Sequence, residues 1–237
     1  MISQYEGTQI IESEFSPSTS FYKRINSNND QCKSDPCFSQ EFSEDIILRL
    51  ATVEDSIFAK AITDEMHDSA VIRGCGISRR SPESVIQKMQ EGKVIIAVTS
   101  ANEWVGFSYI ETYENNEFVS NSGLIVAPAY RKCGVAKSIK QRIFDLSRTL
   151  YPHAKIFSIT TGAAVMKMNT RLGFEAVTYG EITKEKKFWE GCKSCVNFNI
   201  LENKSYKNCF CTAMLYSPEQ EEPIEETESE TEHRQLS

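Results

Sequence analysis

Arg131-Lys132-Cys133-Gly134-Val135-Ala136 has the pattern R-x-x-G-x-A and stands where a phosphate could be held. Ahead of it, Leu124, Ile125 and Val126 form an apolar run that Pro128 ends, because proline lacks the N–H that a strand ladder needs. Behind it, Val135, Ile139, Ile143 and Leu146 recur at helical spacing, with Lys137, Lys140, Gln141 and Arg142 between them as the polar face. The N-terminus of a helix presents N–H groups without internal partners and a partial positive charge, so main chain alone can bind a phosphate there. Gly134 lets the anion come close, and Ala136 keeps the first turn open. Arg131, Lys132 and Lys137 add charge suited to a pyrophosphate. A plain strand-to-helix turn with a surface arginine is the competing reading of these six residues.

Two further groups of residues carry chemistry. Cys192-x2-Cys195 and Cys209-x-Cys211 bracket 13 residues, close to the spacing with which four thiolates hold one structural zinc. Phe210, Met214 and Leu215 mark the second pair as entering a strand that would hold it in place, and two redox-inert or exchangeable thiol pairs beside that last strand are the alternative. Cys32 and Cys37 read as free thiols and Cys75 as a small filler. Residues 67–83, HDSAVIRGCGISRRSPE, hold Arg73, Arg79 and Arg80, whose planar forks could grip carboxylates or simply form a solvated basic loop. His67 and His153 stand alone and read as surface or satisfied histidines, and Met166 and Met168 as packing.

The elements that must position these groups are legible around them. Ile46–Leu50 reads as a first strand, followed by a helix from about residue 52 with Ile57, Phe58, Ala61, Ile62 and Met66 on one face. Ser81-Pro82-Glu83 is a helix start, with serine at the N-cap and proline at the first position. Strands follow over 94–99, 104–112 and 118–127, then a helix from Gly134 to about Leu150, a buried strand at 156–160 and a helix over 163–172. Residues 1–43, rich in Ser, Asn and Gln, read as a disordered arm. Residues 217–237 carry eight Glu and one Arg and read as a disordered acidic tail, which accounts for the whole net charge of −7. The remainder is neutral, so no nucleic-acid partner is expected. No apolar run is long enough to span a membrane, and the first residues lack a basic n-region and an apolar h-region, so a cytoplasmic location is expected. Neither G-x-G-x-x-G nor G-K-[ST] occurs, which removes the dinucleotide-binding and P-loop readings.

The strand and R-x-x-G-x-A together resemble motif A of the GNAT superfamily of acyl-CoA-dependent N-acyltransferases. Three other stretches are similar to that family in the expected order: IILRLATVEDSIFAKAI, IIAVTSANEWVGFSYI and AAVMKMNTRLGFEAV, the last with its Leu172-Gly173-Phe174 signature. The resemblance covers about residues 45–180. It implies an α+β fold, a mixed, mostly antiparallel central sheet flanked by helices, over residues 44–216, with a small cysteine-rich C-terminal extension at 184–216. It also implies acetyl-CoA or succinyl-CoA as co-substrate, held by Arg131, Lys132, Cys133, Gly134, Val135, Ala136 and Lys137, with the main chain of Leu124, Ile125 and Val126 binding pantetheine and polarising the thioester. Arg73, Arg79 and Arg80 would lie over the acceptor. Glu111 is the favoured base, with Glu117 the other available carboxylate. Asn169 stands where the family usually has a tyrosine proton donor. It would touch the cofactor but could not give up a proton, so Tyr130 or water would, or the thiolate would leave unassisted.

The ending is similar to that of a bacterial subgroup of N-acylglutamate synthase type. The expected function is therefore transfer of an acyl group to the amine of a small molecule, with the α-amine of glutamate favoured. A protein N-acetyltransferase and a CoA-binding sensor without turnover are the alternatives, and a homodimer is left open.

Overall fold

The computed structural model describes residues 23–25, as backbone, together with 45–74 and 78–218. The readings of Cys32, Cys37, Cys75 and the acidic tail lie outside the described residues, except that Ser217 and Pro218 are described. The same holds for the N-terminal arm, apart from β1 (Lys23–Ile25), which forms a short edge strand where no structure was expected. The other strands are β2 (Ile46–Leu50), β3 (Val94–Thr99), β4 (Trp104–Tyr113), β5 (Phe118–Val126), β6 (Lys155–Thr160), β7 (Glu175–Val177) and β8 (Thr212–Tyr216). They form one sheet in the order β1-β2-β3-β4-β5-β6-β8-β7, with β5–β6 the parallel pair and every other pair antiparallel. The helices are α1 (Ala59–Ile72), α2 (Pro82–Gln90), α3 (Val135–Leu150), α4 (Ala163–Arg171), α5 (Lys186–Glu190) and α6 (Phe198–Asn203). This is the α+β arrangement the sequence implies, a mostly antiparallel sheet flanked by helices.

β3, VIIAVT, is buried along its whole length because helices cover both faces of the sheet. On one face α3 packs Val135, Ile139, Ile143 and Leu146 against Leu48, Ile95, Val105, Ile110 and Ile156. On the other, α1 and α2 bring Ile62, Met66, Val85 and Met89 against Ile96, Val98 and Phe107. The helix expected from residue 52 opens instead as a 3-10 turn, Val53–Phe58. Its tighter winding shifts the phase, so Ile57 is left 71% exposed and the inner face of α1 is Ala59, Ile62, Met66 and Ala70.

Two irregularities shape the centre. Between β4 and β5 the register passes from Phe107↔Ile125 to Tyr109↔Ser122, so Gly123 and Leu124 oppose one residue, Ser108. This is a β-bulge, and Gly123 takes a φ of 68° within it. The parallel β5–β6 ladder runs only from Phe118↔Lys155 to Ser120↔Phe157, and beyond Ser120 the two strands part. A wedge opens in the middle of the sheet.

Candidate active site

The wedge leads into a cavity of about 770 Å³. Ser122, Gly123 and Leu124 of β5 line one wall and Ser158, Ile159 and Thr160 of β6 the other, with Lys140 from α3 reaching in beside Asn121. At the open end of the wedge the chain turns through positive φ at Lys132 (65°) and Gly134 (79°) into α3. The first helical bond to return to Gly134 O comes from Ser138 N, so the amides of Val135, Ala136 and Lys137 point out of the helix end. A Cβ built on Gly134 meets nothing within 4 Å, which leaves that approach open. Val135 itself is buried in the core, and Cys133 and Ala136 are packed against it. Arg131 departs from the expected role. Its guanidinium, though still partly exposed, is engaged by protein groups, donating from Nε to Val126 O at 3.0 Å and from Nη2 to Ser69 Oγ at 2.6 Å and to the Glu65 carboxylate. It fixes the end of β5 to α1, and the main chain at the start of α3, flanked by the exposed Lys132 and Lys137, is left to face an anion.

The far half of the cavity is polar and built largely on one face of β4. Glu111 and Tyr113 line it, and Tyr109, on the same face of the strand, packs in the core behind this lining rather than forming part of it. Arg80 donates from Nε to Tyr109 Oη at 2.5 Å and from Nη1 to Ser78 Oγ. Burial disfavours its charge, but Tyr109 and Glu111 more than restore it, so the guanidinium stays charged. Glu111 accepts from Tyr113 Oη at 3.0 Å and lies 3.4 Å from both Lys88 Nζ and Lys187 Nζ. Burial raises its pKa, yet Lys88, Tyr113 and Lys187 together hold the carboxyl below its usual value. A carboxylate so held is an anchor and a weak base. Arg73 also lines the cavity, whereas Arg79 is exposed outside it and uses its backbone N–H to bond Ser194 Oγ at 2.9 Å.

The C-terminal extension closes this half. Ser78 Oγ donates to Gly191 O, and Glu114 accepts from Lys184 N at 2.6 Å and Thr183 Oγ1 at 2.6 Å. Trp189, Phe188 and Phe198 then complete an aromatic wall with Tyr113, Phe157 and Tyr179. Cys192, Cys195, Cys209 and Cys211 all line the cavity. Burial and the neighbouring thiols push Cys192 up to about 11. Among the described residues no group of three or more His, Cys, Asp or Glu side chains is arranged to hold a metal ion, so the structure lends no support to the expected four-thiolate zinc site. The extension is held by aromatic packing and hydrogen bonds.

Two proposed contacts are also withdrawn from the cavity. Tyr130 is 9% exposed and packs in the core with Val135 and Ile139. Asn169 is fully buried, donates from Nδ2 to Met214 Sδ at 3.5 Å and leaves its Oδ1 without a hydrogen-bond partner. Sequence reasoning missed Tyr109, Tyr113 and Lys187, although the i, i+2, i+4 spacing of Tyr109, Glu111 and Tyr113 was a readable signal. Lys140, read as part of the polar helix face, is 2% exposed. It lies at i−3 to Ile143 and i−7 to Ser147, on the buried stripe of α3.

No protein-family model matches the chain, and no curated protein matches it. Solved structures do. N-acetylglutamate synthase from Neisseria gonorrhoeae, complexed with coenzyme A and N-acetyl-glutamate, matches with a TM-score of 0.53 at 14% identity over 74% of this chain, which spans 35% of that enzyme's length. Rv2747 from Mycobacterium tuberculosis, in complex with CoA and NLQ, matches with a TM-score of 0.52 at 18% identity, over 72% of this chain and 98% of that one. YncA from Salmonella typhimurium, with acetyl-CoA, matches with a TM-score of 0.50 at 15% identity, over 74% and 95%. At such identities the likeness is one of fold.

Proposed function

We propose that this chain, whose fold is the GNAT fold, is an N-acyltransferase that moves an acyl group from CoA to the α-amine of an acidic amino acid. The observation that carries the reading is the wedge between β5 and β6 opening beside the N-terminus of α3. A pyrophosphate at the amides of Val135, Ala136 and Lys137 would send the pantetheine arm into the wedge, where β5 beyond Ser120 has no strand partner on its β6 side among the described residues. Main-chain groups there would pair with the arm's amides and stabilise the oxygen of the tetrahedral intermediate.

The acceptor would lie on the other side, against Arg80 and Arg73. A guanidinium already charged and oriented by Tyr109 suits a carboxylate. Glu111, ionised at neutral pH, holds the incoming ammonium near the thioester, and water in the open cavity removes its proton. Positioning supplies most of the rate in such an arrangement.

A thiol-release assay across the amino acids, run with acetyl-CoA and with succinyl-CoA, tests this. Glutamate or aspartate should exceed their amides and lysine. Losing a charge-assisted bond worth roughly 1.5–3 kcal/mol should lower kcat/KM for the acidic amino acid by about 10 to 150-fold in Arg80→Ala, with only part regained in Arg80→Lys. An equal loss for an uncharged amine would reject the carboxylate role. CoA binding without thiol release from any amine would favour a sensor.

A further inference from the structure

We propose that Lys140 is a self-acylation site, its Nζ taking the acyl group from bound acyl-CoA when the acceptor amine is absent. The inference rests on the acyl-CoA reading and concerns a side chain that reading does not use. Lys140 lines the cavity on the wedge, is 2% exposed, and donates to Asn121 Oδ1 at 3.0 Å. Asn121 follows Ser120, the last residue of β5 to pair with β6, so the amine sits at the closed end of the wedge. Asn121 is held in turn by Ser147 Oγ, which accepts from its Nδ2 at 2.8 Å. The position along α3 matters too. Lys140 is six residues beyond Gly134, about 9 Å along the axis at the usual helical rise, and α3 runs from the phosphate end of the wedge back toward its closed end. A pantetheine arm entering from the nest carries its thioester toward this amine.

An amine attacks a thioester only when neutral, and an ordinary lysine at neutral pH is almost wholly charged. Around Lys140, β5 presents Asn121, and the segment after α4 presents the Phe174 ring, 4.8 Å from Nζ. The ring favours the ammonium weakly, and no ionisable side chain among the described residues bears on its charge. Burial therefore dominates and brings the group down to about 7, so a large fraction is neutral at physiological pH. In the step itself the Nζ lone pair forms a bond to the thioester carbonyl carbon. The C–S bond breaks with its electron pair on sulfur, and the proton lost by nitrogen goes to the departing CoA thiolate. The products are an N-acyl-lysine and free CoA, with no other reactant needed. The amide would occupy the wedge and block re-entry of CoA, so an idle enzyme would inactivate itself while an acceptor protects it.

The test is incubation of the whole protein with acetyl-CoA and no amine, followed by peptide mapping, with CoA binding measured in parallel by calorimetry. The expected result is acetyl on Lys140, formed about tenfold faster at pH 8 than at pH 6, and suppressed by added acceptor. An ordinary exposed lysine would show about a 100-fold rise over the same interval. Asn121→Asp, which puts a carboxylate beside the amine and keeps it charged, should slow labelling at least about tenfold at pH 7. CoA bound with label absent, or scattered over exposed lysines with the steeper pH dependence, overturns this inference alone. No CoA binding at all overturns it together with the acyltransferase reading.

Discussion

Gly134→Asp is expected to weaken CoA binding at least about 100-fold while the protein stays folded. Two effects combine at that residue. A side chain at φ 79° is strained by about 1–2 kcal/mol, which for a chain of this size lowers Tm by only about 2–8 °C. The larger effect falls on the ligand. The open space off Gly134 is where a pyrophosphate would lie, and a carboxylate there meets like charge at a cost of several kcal/mol, about tenfold in affinity for each 1.4 kcal/mol. Gly134→Ala separates the two, carrying the strain and the Cβ without the charge. Calorimetry that finds CoA affinity unchanged in Gly134→Asp would remove the phosphate from this helix end.

Gly123→Ala should be the most damaging single methyl in the molecule, lowering Tm by about 10 °C. The added Cβ would stand 2.5 and 2.7 Å from ring carbons of Tyr109, a buried side chain fixed by its bond to Arg80. Left-handed strain of about 1–2 kcal/mol and overpacking of about 1–3 kcal/mol sum to roughly 2–5 kcal/mol. Gly92, with φ 66° and nothing within 4 Å of its Cβ, supplies the comparison, because Gly92→Ala carries the strain alone. Equal losses of Tm in the two variants would show that the ring yields freely. If it does not, Tyr109 moves and Arg80 loses its orientation, so the proposed preference for acidic acceptors should fall as well.

Much of this architecture is readable in the residues. The apolar runs of β3 to β6 and the 3.6-residue spacing of Val135, Ile139, Ile143 and Leu146 locate the sheet and α3 to within a residue or two. The nest is legible because a glycine at a helix start is a local signal. The bulge at Gly123 and the parting of β5 from β6 are not, since both depend on which strands pair and how far. Tertiary partners also decide the fate of individual polar groups. Arg131 is drawn back by Glu65 and Ser69, 66 and 62 residues away in sequence, and Lys140 is buried by an asparagine on another element. The four cysteines suggested a metal by spacing alone, and in the structure they line a cavity wall without forming a recognisable metal cluster among the described residues.

The insertion of β8 between β6 and β7 has a consequence for biosynthesis. As the chain leaves the ribosome β7 appears first, and among the described residues its strand partner is β8, roughly 35 residues further on. β6 ends at Thr160, so at synthesis rates of about 5–20 residues per second its edge stays bare for roughly 3 to 10 seconds before β8 emerges. Such an edge invites pairing with a neighbouring chain. The segment synthesised in that interval holds Trp189, Phe198 and all four of the C-terminal cysteines. Changes there should thus reduce the yield of correctly folded protein during translation before they alter the finished molecule.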